Sequence, residues 1–480
     1  MTQLATNDTG KLSRRAWGTL LVLCGALFLD ALDVSMIGVA LPSIRSDLHL
    51  STSALQWVVS AYVLGYGGFL LLGGRAADLL GRRRVFLVSL GVFVGASALG
   101  GIATGGALLI VTRFVKGLSA AFTAPAGLSI ITTTFAEGPA RNKALSVYTA
   151  TGATGFSLGL VFGGLLTEVS WRLAFFLPAP VALVALLAGL RLVPRTARPA
   201  RIGRSFDLPG AVSLTAGMLL LVYTLVEAPS AGWTSARTLV SLTAVAAILA
   251  AFVARERRTA APLIRLGIFR SSTLVRANFA AMALAAWIGF QFIATLYMQQ
   301  LRGWSSLETG LAIFPAGLLV ALLSPRVAPL IARFGLVRPI VAGLVSIGLG
   351  YVLFLRIGLD SSYAAMLPTF LLAGLGFGLA FGPINVAATS GVASEEQGLA
   401  GGLVNTSFQL GAALVLAVVT AVVNANTTGA TPDDVLAGYH AAIFVAVGAA
   451  VLGVAAMLLR RRPAPNVVEL PVEEALEEAA

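Results

Sequence analysis

Fourteen runs of almost uninterrupted apolar residues dictate what this chain can fold into. They lie near 16–42, 55–75, 84–104, 107–132, 143–167, 173–193, 208–228, 236–254, 276–299, 307–324, 338–356, 362–388, 402–423 and 440–459. At about 1.5 Å of rise per residue, a helix of ~20 residues crosses the roughly 30 Å hydrocarbon core of a bilayer. Within that core only helices and closed barrels satisfy their own backbone hydrogen bonds, and runs of this length read as helices. Charged residues are 11 % of the 480 and the mean hydropathy is +0.89, whereas a soluble domain carries about 25 % charged residues. The sequence therefore predicts an all-α polytopic membrane protein with fourteen transmembrane helices. The shortest run, 307–324, holds Pro315. The first run is longer than a signal-peptide core of about 7–15 residues and no small-residue cleavage site follows it, so it counts as a span.

A net charge of +12 raises nucleic acid as a partner, but the placement of the charges excludes it. Of the 33 Lys and Arg residues, 26 fall on segments that share the side of the N-terminus. Five fall on the other side (Arg45, Arg172, Arg237, Arg302 and Arg356), and Arg113 and Lys116 lie inside a run. This bias orients the chain with its N-terminus in the cytoplasm. An even number of spans returns the C-terminus to the same side, with the acidic tail from Glu469 to Glu478 solvated there. Cys24 is the only cysteine, and His49 and His440 are far apart, so neither a disulfide framework nor a metal site is expected. None of the three lysines, Lys11, Lys116 and Lys143, lies in a G-x-x-x-x-G-K-[ST] loop, and no nucleophile–His–acid set stands outside the membrane. An enzyme is thus not expected, nor a cofactor. Energy has to come from an ion gradient or from the gradient of the substrate.

Asp30 and Asp33 sit near the middle of the first run. A carboxylate at that depth costs about 2.5–3.5 kcal/mol or more and marks function by default. The i, i+3 spacing puts the two on one helix face, and Arg113 and Lys116 repeat that spacing in the fourth run. Asp33 and Lys116 are each nine residues from the outer end of their runs, about 13 Å deep by helical rise. Arg113 lies nearer the outside and Asp30 nearer the centre.

The loop after the second run reads GGRAADLLGRRRVF, Gly73 to Phe86, with Gly74, Asp78, Gly81, Arg82 and Arg83 at the spacing G-x-x-x-D-x-x-G-R-R. This pattern resembles the signature loop of the major facilitator superfamily, and PRVAPLIARFGLVRP, Pro325 to Pro339, is a weaker echo in the second half. LDVSMIGVALP (Leu32 to Pro42) resembles the first-span motif of the fourteen-span drug:proton antiporters. GFSLGLVFGG (Gly155 to Gly164) resembles their fifth-span antiporter motif through Gly155, Gly159, Gly163 and Gly164, with Leu160 where the motif has proline. SWRLAFFLPAP, LYMQQLRGWSSLETGLAIFP and EQGLAGGLVNTSFQLG resemble further segments of that group. Small residues four apart also mark plain helix packing, and both readings of the glycines stand.

The resemblance implies a major facilitator fold: two six-helix bundles plus two inserted spans. Its division is 1–15 cytoplasmic, 16–193 N-terminal bundle, 194–275 inserted spans with their loops, 276–459 C-terminal bundle and 460–480 acidic tail. It implies a secondary active transporter that exports amphipathic small molecules or drugs in exchange for protons by alternating access. The alternative is a permease for a single metabolite, inward or outward. Expected partners are the small-molecule substrate, protons and membrane lipid, with the chain a monomer in the cell membrane. Thirty arginines against three lysines fit a GC-rich bacterial source.

Spans 1 and 4 both face the central cavity in this fold, which would bring Asp30, Asp33, Arg113 and Lys116 into one two-acid, two-base cluster. A proton or a cationic substrate would compete for its negative charge, which is the basis of antiport. The family motif around Lys116 reads R-x-x-Q-G, and here it is RFVKG. With a second base present, the four groups can equally form a permanent ion-pair network between the two spans. Asp33 falls inside the first-span motif and ranks first as coupling residue, with Asp30 tuning substrate charge. Candidate cavity residues are Tyr62, Tyr66, Asn278, Gln291, Asn385, Asn405 and Gln409, each of which can instead bond a neighbouring helix. Phe28, Trp57, Trp287 and Phe292 are candidates for an aromatic wall, and Glu227 is expected to be solvated at an outer span end.

Overall fold

The computed structural model describes residues 13–459 except 136–138, 195–206, 260–261, 263, 265, 391, 393–396, 428 and 430. Its long helices are α1 Arg14–Leu48, α2 Thr52–Leu80, α3 Arg82–Gly101, α4 Gly106–Thr134, α5 Pro139–Val169, α6 Leu173–Leu192 and α7 Leu208–Ala231. They continue as α8 Ala236–Glu256, α9 Ser272–Leu301, α10 Ser306–Leu323, α11 Val337–Phe354, α12 Tyr363–Thr389, α13 Gln397–Asn426 and α14 Pro432–Leu458. Among the described residues these fourteen are long and apolar enough to cross a membrane, and none is in a strand.

Helix ends follow capping chemistry rather than hydropathy, which is why several outrun the apolar runs. α14 starts eight residues earlier than its run because Thr431 and Asp434 form a capping box over a polar first turn. α1 continues through Pro42 to Leu48 and stops where His49 takes a left-handed conformation with φ 50°. Near the turn that Pro42 interrupts, the Val39 carbonyl accepts a bond from Gln299 Nε2 at 2.9 Å. Gln299 itself stands in a π-helical turn, Tyr297–Leu301, that closes α9.

The packing repeats eight helices apart. α1 lies on α5, α2 and α3 on α4, and α3 on α6; correspondingly α9 lies on α13, α10 and α11 on α12, and α11 on α14. This is the arrangement expected of a duplicated unit. The two halves meet along two seams, α5 against α10 and α2 against α13. The hairpin α7–α8 covers the second seam, with α7 packed on both α2 and α13.

Polar bonds hold that hairpin at both ends. Asp207 Oδ1 caps α7 through Gly210 N at 3.0 Å and accepts from Arg255 Nε at 2.8 Å. At the outer end Trp57 Nε1 donates to Glu227 Oε1 at 2.8 Å, and Arg237 stands 3.7 Å from the other oxygen. Glu227 is therefore not the solvated residue that its position at a span end implied. Trp57 also faces Tyr223, with ring centroids 5.8 Å apart, so its indole belongs to the hairpin contact.

Glycine sets how closely α2 and α4 approach. A methyl group on Gly117 would collide with the Tyr62 carbonyl, and one on Gly65 would stand 2.8 Å from Leu118 N. Overpacking of this kind costs about 1–3 kcal/mol. Gly117→Ala is expected to lower the melting temperature of the purified protein, and an unchanged melt would show that the two helices have room to part.

Candidate functional site

Asp33 is wholly buried and takes both bases of α4. Its Oδ2 accepts from Arg113 Nη1 and its Oδ1 from Lys116 Nζ, with Arg113 2 % and Lys116 0 % exposed. Arg113 is further fixed by Nε donating to the Val58 carbonyl at 3.1 Å and by the Tyr62 ring, 4.7 Å from the guanidinium carbon. The Lys116 ammonium stands 4.9 Å from the ring centroids of both Phe93 and Phe175. Each group of the triad is thus surrounded on several sides, as buried charges require.

Asp30, one turn toward the cytoplasm, is half-buried and has no ion-pair partner among the described residues. The four charges still sum to zero, but they separate into a triad with one excess positive charge and a single carboxylate. Tyr62, Tyr66 and Tyr148 are within electrostatic reach of Asp30, and the rings of Tyr62 and Tyr66 meet edge-on at 6.0 Å. Tyr148 of α5 was not among the residues singled out in the sequence. Its only mark there is a hydroxyl-bearing ring in an apolar run.

The other candidates divide by what their side chains already bond. Asn278 accepts from Ser407 Oγ at 2.6 Å and so ties α9 to α13. Asn385 and Asn405 each donate to a carbonyl of their own helix. Gln291 is buried with its amide against Gly38 of α1, and Gln409 is buried with its Cβ against Gly67 of α2. Both glutamines therefore stand where the two halves touch. Trp287 joins an aromatic cluster through Phe290, whose ring is 4.8 Å from Tyr351 and 5.3 Å from Phe354. The half-buried trio Phe377, Phe381 and Phe408 was not singled out either, although Phe377 and Phe381 are four apart and stack at 5.2 Å.

The glycines of α5 are contact points on two sides. Methyl groups at Gly155 and Gly163 would stand 2.5 Å from the Phe28 carbonyl and 2.7 Å from Met36 Cα on α1. One at Gly159 would collide with Ser35 Oγ, and one at Gly164 would stand 2.7 Å from Leu307 Cα on α10. Gly310 of α10 returns the contact against the Leu160 carbonyl, the position where the family motif has proline. α5 is thus wedged between its own half and the other.

At the outer end of this seam Glu168 Oε1 accepts from Leu307 N at 3.1 Å, a carboxylate on the first turn of α10. Together with the Gln299–Val39 bond it ties the outer ends of the halves. Glu168→Ala is expected to loosen that tie. Spin labels at the exposed positions Val169 and Leu311 should then report longer distances than in the wild type. Unchanged distances would mean that the glycine contacts and the Gln299–Val39 bond hold the outer ends without Glu168.

In the signature loop, Gly81 has φ +94° and divides α2 from α3. Arg83 donates to the Leu190 carbonyl at 2.6 Å and the Val193 carbonyl at 2.9 Å, so it caps the last turn of α6. Gly74 faces Pro125 of α4. The Asp78 side chain lies outside the described residues. The echo in the second half forms a short helix, Val327–Phe334, ended by Gly335 with φ +73°.

Residues 23–416 match the family model of the Major Facilitator Superfamily. The chain belongs to that superfamily. Among its relatives, the cephamycin export protein CmcT of Amycolatopsis lactamdurans is 37 % identical over 97 % of this chain and 98 % of its own. The puromycin resistance protein pur8 of Streptomyces alboniger is 38 % identical over 92 % and 90 %, and the lincomycin resistance protein of Streptomyces lincolnensis 33 % over 95 % and 94 %. Of solved structures, the POT family transporter PepTSo superposes with a TM-score of 0.67 at 18 % identity, covering 92 % of this chain and 99 % of its own. The human organic anion transporter MFSD10 gives 0.63 at 18 %, covering 93 % and 100 %. At that identity the two structures speak for the fold alone. The family makes the chain a multi-pass membrane transporter of small molecules.

Proposed function

We propose that this transporter exports amphipathic organic molecules, cations foremost, from a bacterial cell in exchange for protons. It acts as a monomer in the plasma membrane. The observation that carries the reading is the half-buried Asp30 carboxylate, left over once Asp33 has taken both bases. A carboxylate beside aromatic rings can hold either a proton or an organic ammonium, and not both at once. Tyr62 and Tyr66 supply rings on the N-terminal half, and Phe377, Phe381 and Phe408 supply half-buried apolar surface on the other. Relatives with antibiotic export and resistance in their names support efflux as the direction.

In this reading the structure, with its outer ends tied, is the state that loads from the cytoplasm. Cation binding at Asp30 displaces the proton, the seams re-form on the inner side, and a proton from outside displaces the cation. The triad around Asp33 stays closed throughout and holds α1 against α4. Expression in an efflux-deficient bacterial host tests the proposal. Resistance to several unrelated amphipathic cations should rise and should vanish when a protonophore collapses the gradient. Transport of a single metabolite that ignores the proton gradient would overturn it.

A further inference from the structure

A cavity of about 470 Å³ opens on the outer face where the end of α1 meets the end of α9. Pro42, Arg45, Ser46, His49 and Leu50 line it from α1 and the turn after it, and Gln300 lines it from α9. Its size lies within the range of small-molecule pockets, roughly 300–1,000 Å³. Its position is far along α1 from Asp30, fifteen residues toward the outer end, so it is not part of the proposed transport site.

The polar groups around it are donors. Arg45 is half-buried, and among the described residues its guanidinium has no side-chain acceptor. Gln300 uses its Oε1 to accept from Tyr439 OH at 3.4 Å, which leaves its NH₂ to donate. Ser46 adds a hydroxyl. The αL backbone of His49 ends α1 and carries the exposed imidazole to the rim. The neighbouring acid on this helix end, Asp47, is bound by Trp171 Nε1 at 3.0 Å and Arg172 Nη1 at 2.8 Å. Among the described residues no carboxylate lines the cavity. Pro42 and Leu50 make the remaining wall apolar. A fixed cation, neutral donors and an apolar wall together recognise an oxyanion carried on an apolar body.

The cavity also has a mechanical property. Its walls come from both halves of the transporter, beside the Gln299–Val39 bond that joins α9 to α1. It exists only while those outer ends are together. A ligand bound there must favour that state by the free energy with which it binds, and so must oppose outward opening. We propose that this cavity is an outer-face site for an amphipathic oxyanion, a carboxylate above all, and that filling it holds the outer gate shut. An anion outside the cell then slows export without touching Asp30. The gating half of this statement rests on the alternating-access reading given above; binding does not.

The test uses the full chain in nanodiscs of phosphatidylcholine alone, with octanoate as probe and octylammonium as its cationic control. Octanoate should raise the melting temperature and narrow the distance distribution between spin labels at Val169 and Leu311, and octylammonium should do neither. Arg45→Gln should weaken octanoate about tenfold or more, the loss expected for one charge-assisted contact. Gln300→Ala, on the other half, should weaken it as well and stands in if the arginine variant folds poorly. Discs that include phosphatidylglycerol separate two sources of the anion. If that lipid competes with octanoate, the natural occupant is a headgroup phosphate; if it does not, the occupant is a soluble carboxylate. Equal octanoate binding by wild type and both variants, or equal binding of octylammonium, would overturn the site. Binding without any change in label distances would overturn the gating and leave the export reading untouched.

Discussion

Asp33→Asn is expected to destabilise the folded protein by about 3–5 kcal/mol, the cost of removing one partner from a buried ion pair. Arg113 and Lys116 are 2 % and 0 % exposed, so without the carboxylate neither can turn to water for compensation. The effect should be seen first as a lower melting temperature and poor recovery from membranes, before any transport measurement. A second substitution separates this from a transport defect. Lys116→Gln on its own leaves a one-to-one Asp33–Arg113 pair and restores the residue of the family pattern, so it should cost little. Added to Asp33→Asn, it removes one of the two stranded charges and should recover part of the lost stability. If Asp33→Asn melts like the wild type, the triad does not hold α1 to α4. The coupling role that its place in the first-span motif implies then returns to Asp33.

Which acid receives the bases was not legible in the sequence, and the reason is geometric. Helical rise gives the depth of Asp33 and Lys116 within a span, and the i, i+3 spacing gives a shared face for each pair. Neither specifies how far α1 is rotated about its axis relative to α4. That rotation is set by contacts elsewhere, such as Gly117 against Tyr62 and Gly155 against Phe28. A single turn of difference then decides between Asp30 and Asp33. The number of spans was legible because it rests on composition, which needs no partner. Glu227 shows the opposite case. Its place at a span end implied water, but the hairpin that carries it packs on α2, which presents Trp57 to it. The α5 glycines could be read as packing positions from their spacing, while their partners on α1 and α10 are products of the tertiary fold. Helix ends were misjudged wherever a cap such as Thr431 extends a helix past its apolar run.

Asp30→Asn is expected to abolish proton-driven export while leaving the protein folded. The asparagine keeps the volume and a hydrogen-bonding group but holds neither a proton nor a counter-charge for an organic ammonium. Because Asp30 is half-buried and pairs with no base among the described residues, its loss strands no partner, and the melting temperature should stay close to that of the wild type. The substitution does change the charge balance. The Asp33 triad carries one excess positive charge that Asp30 offsets, so the variant site is net cationic at all pH values at which the bases are charged. A cationic substrate should then bind at least tenfold more weakly, since a charge-assisted contact is worth about 1.5–3 kcal/mol, and a neutral one should bind nearly as before. In everted vesicles the wild type should accumulate ethidium only when the interior is acidified, and the variant should show no response to that gradient. Downhill exchange of a neutral substrate should survive in the variant, because conformational change no longer waits on a proton. A variant that still accumulates ethidium in response to the proton gradient would move the coupling proton to another group, and the buried Asp33 triad would be the next to test.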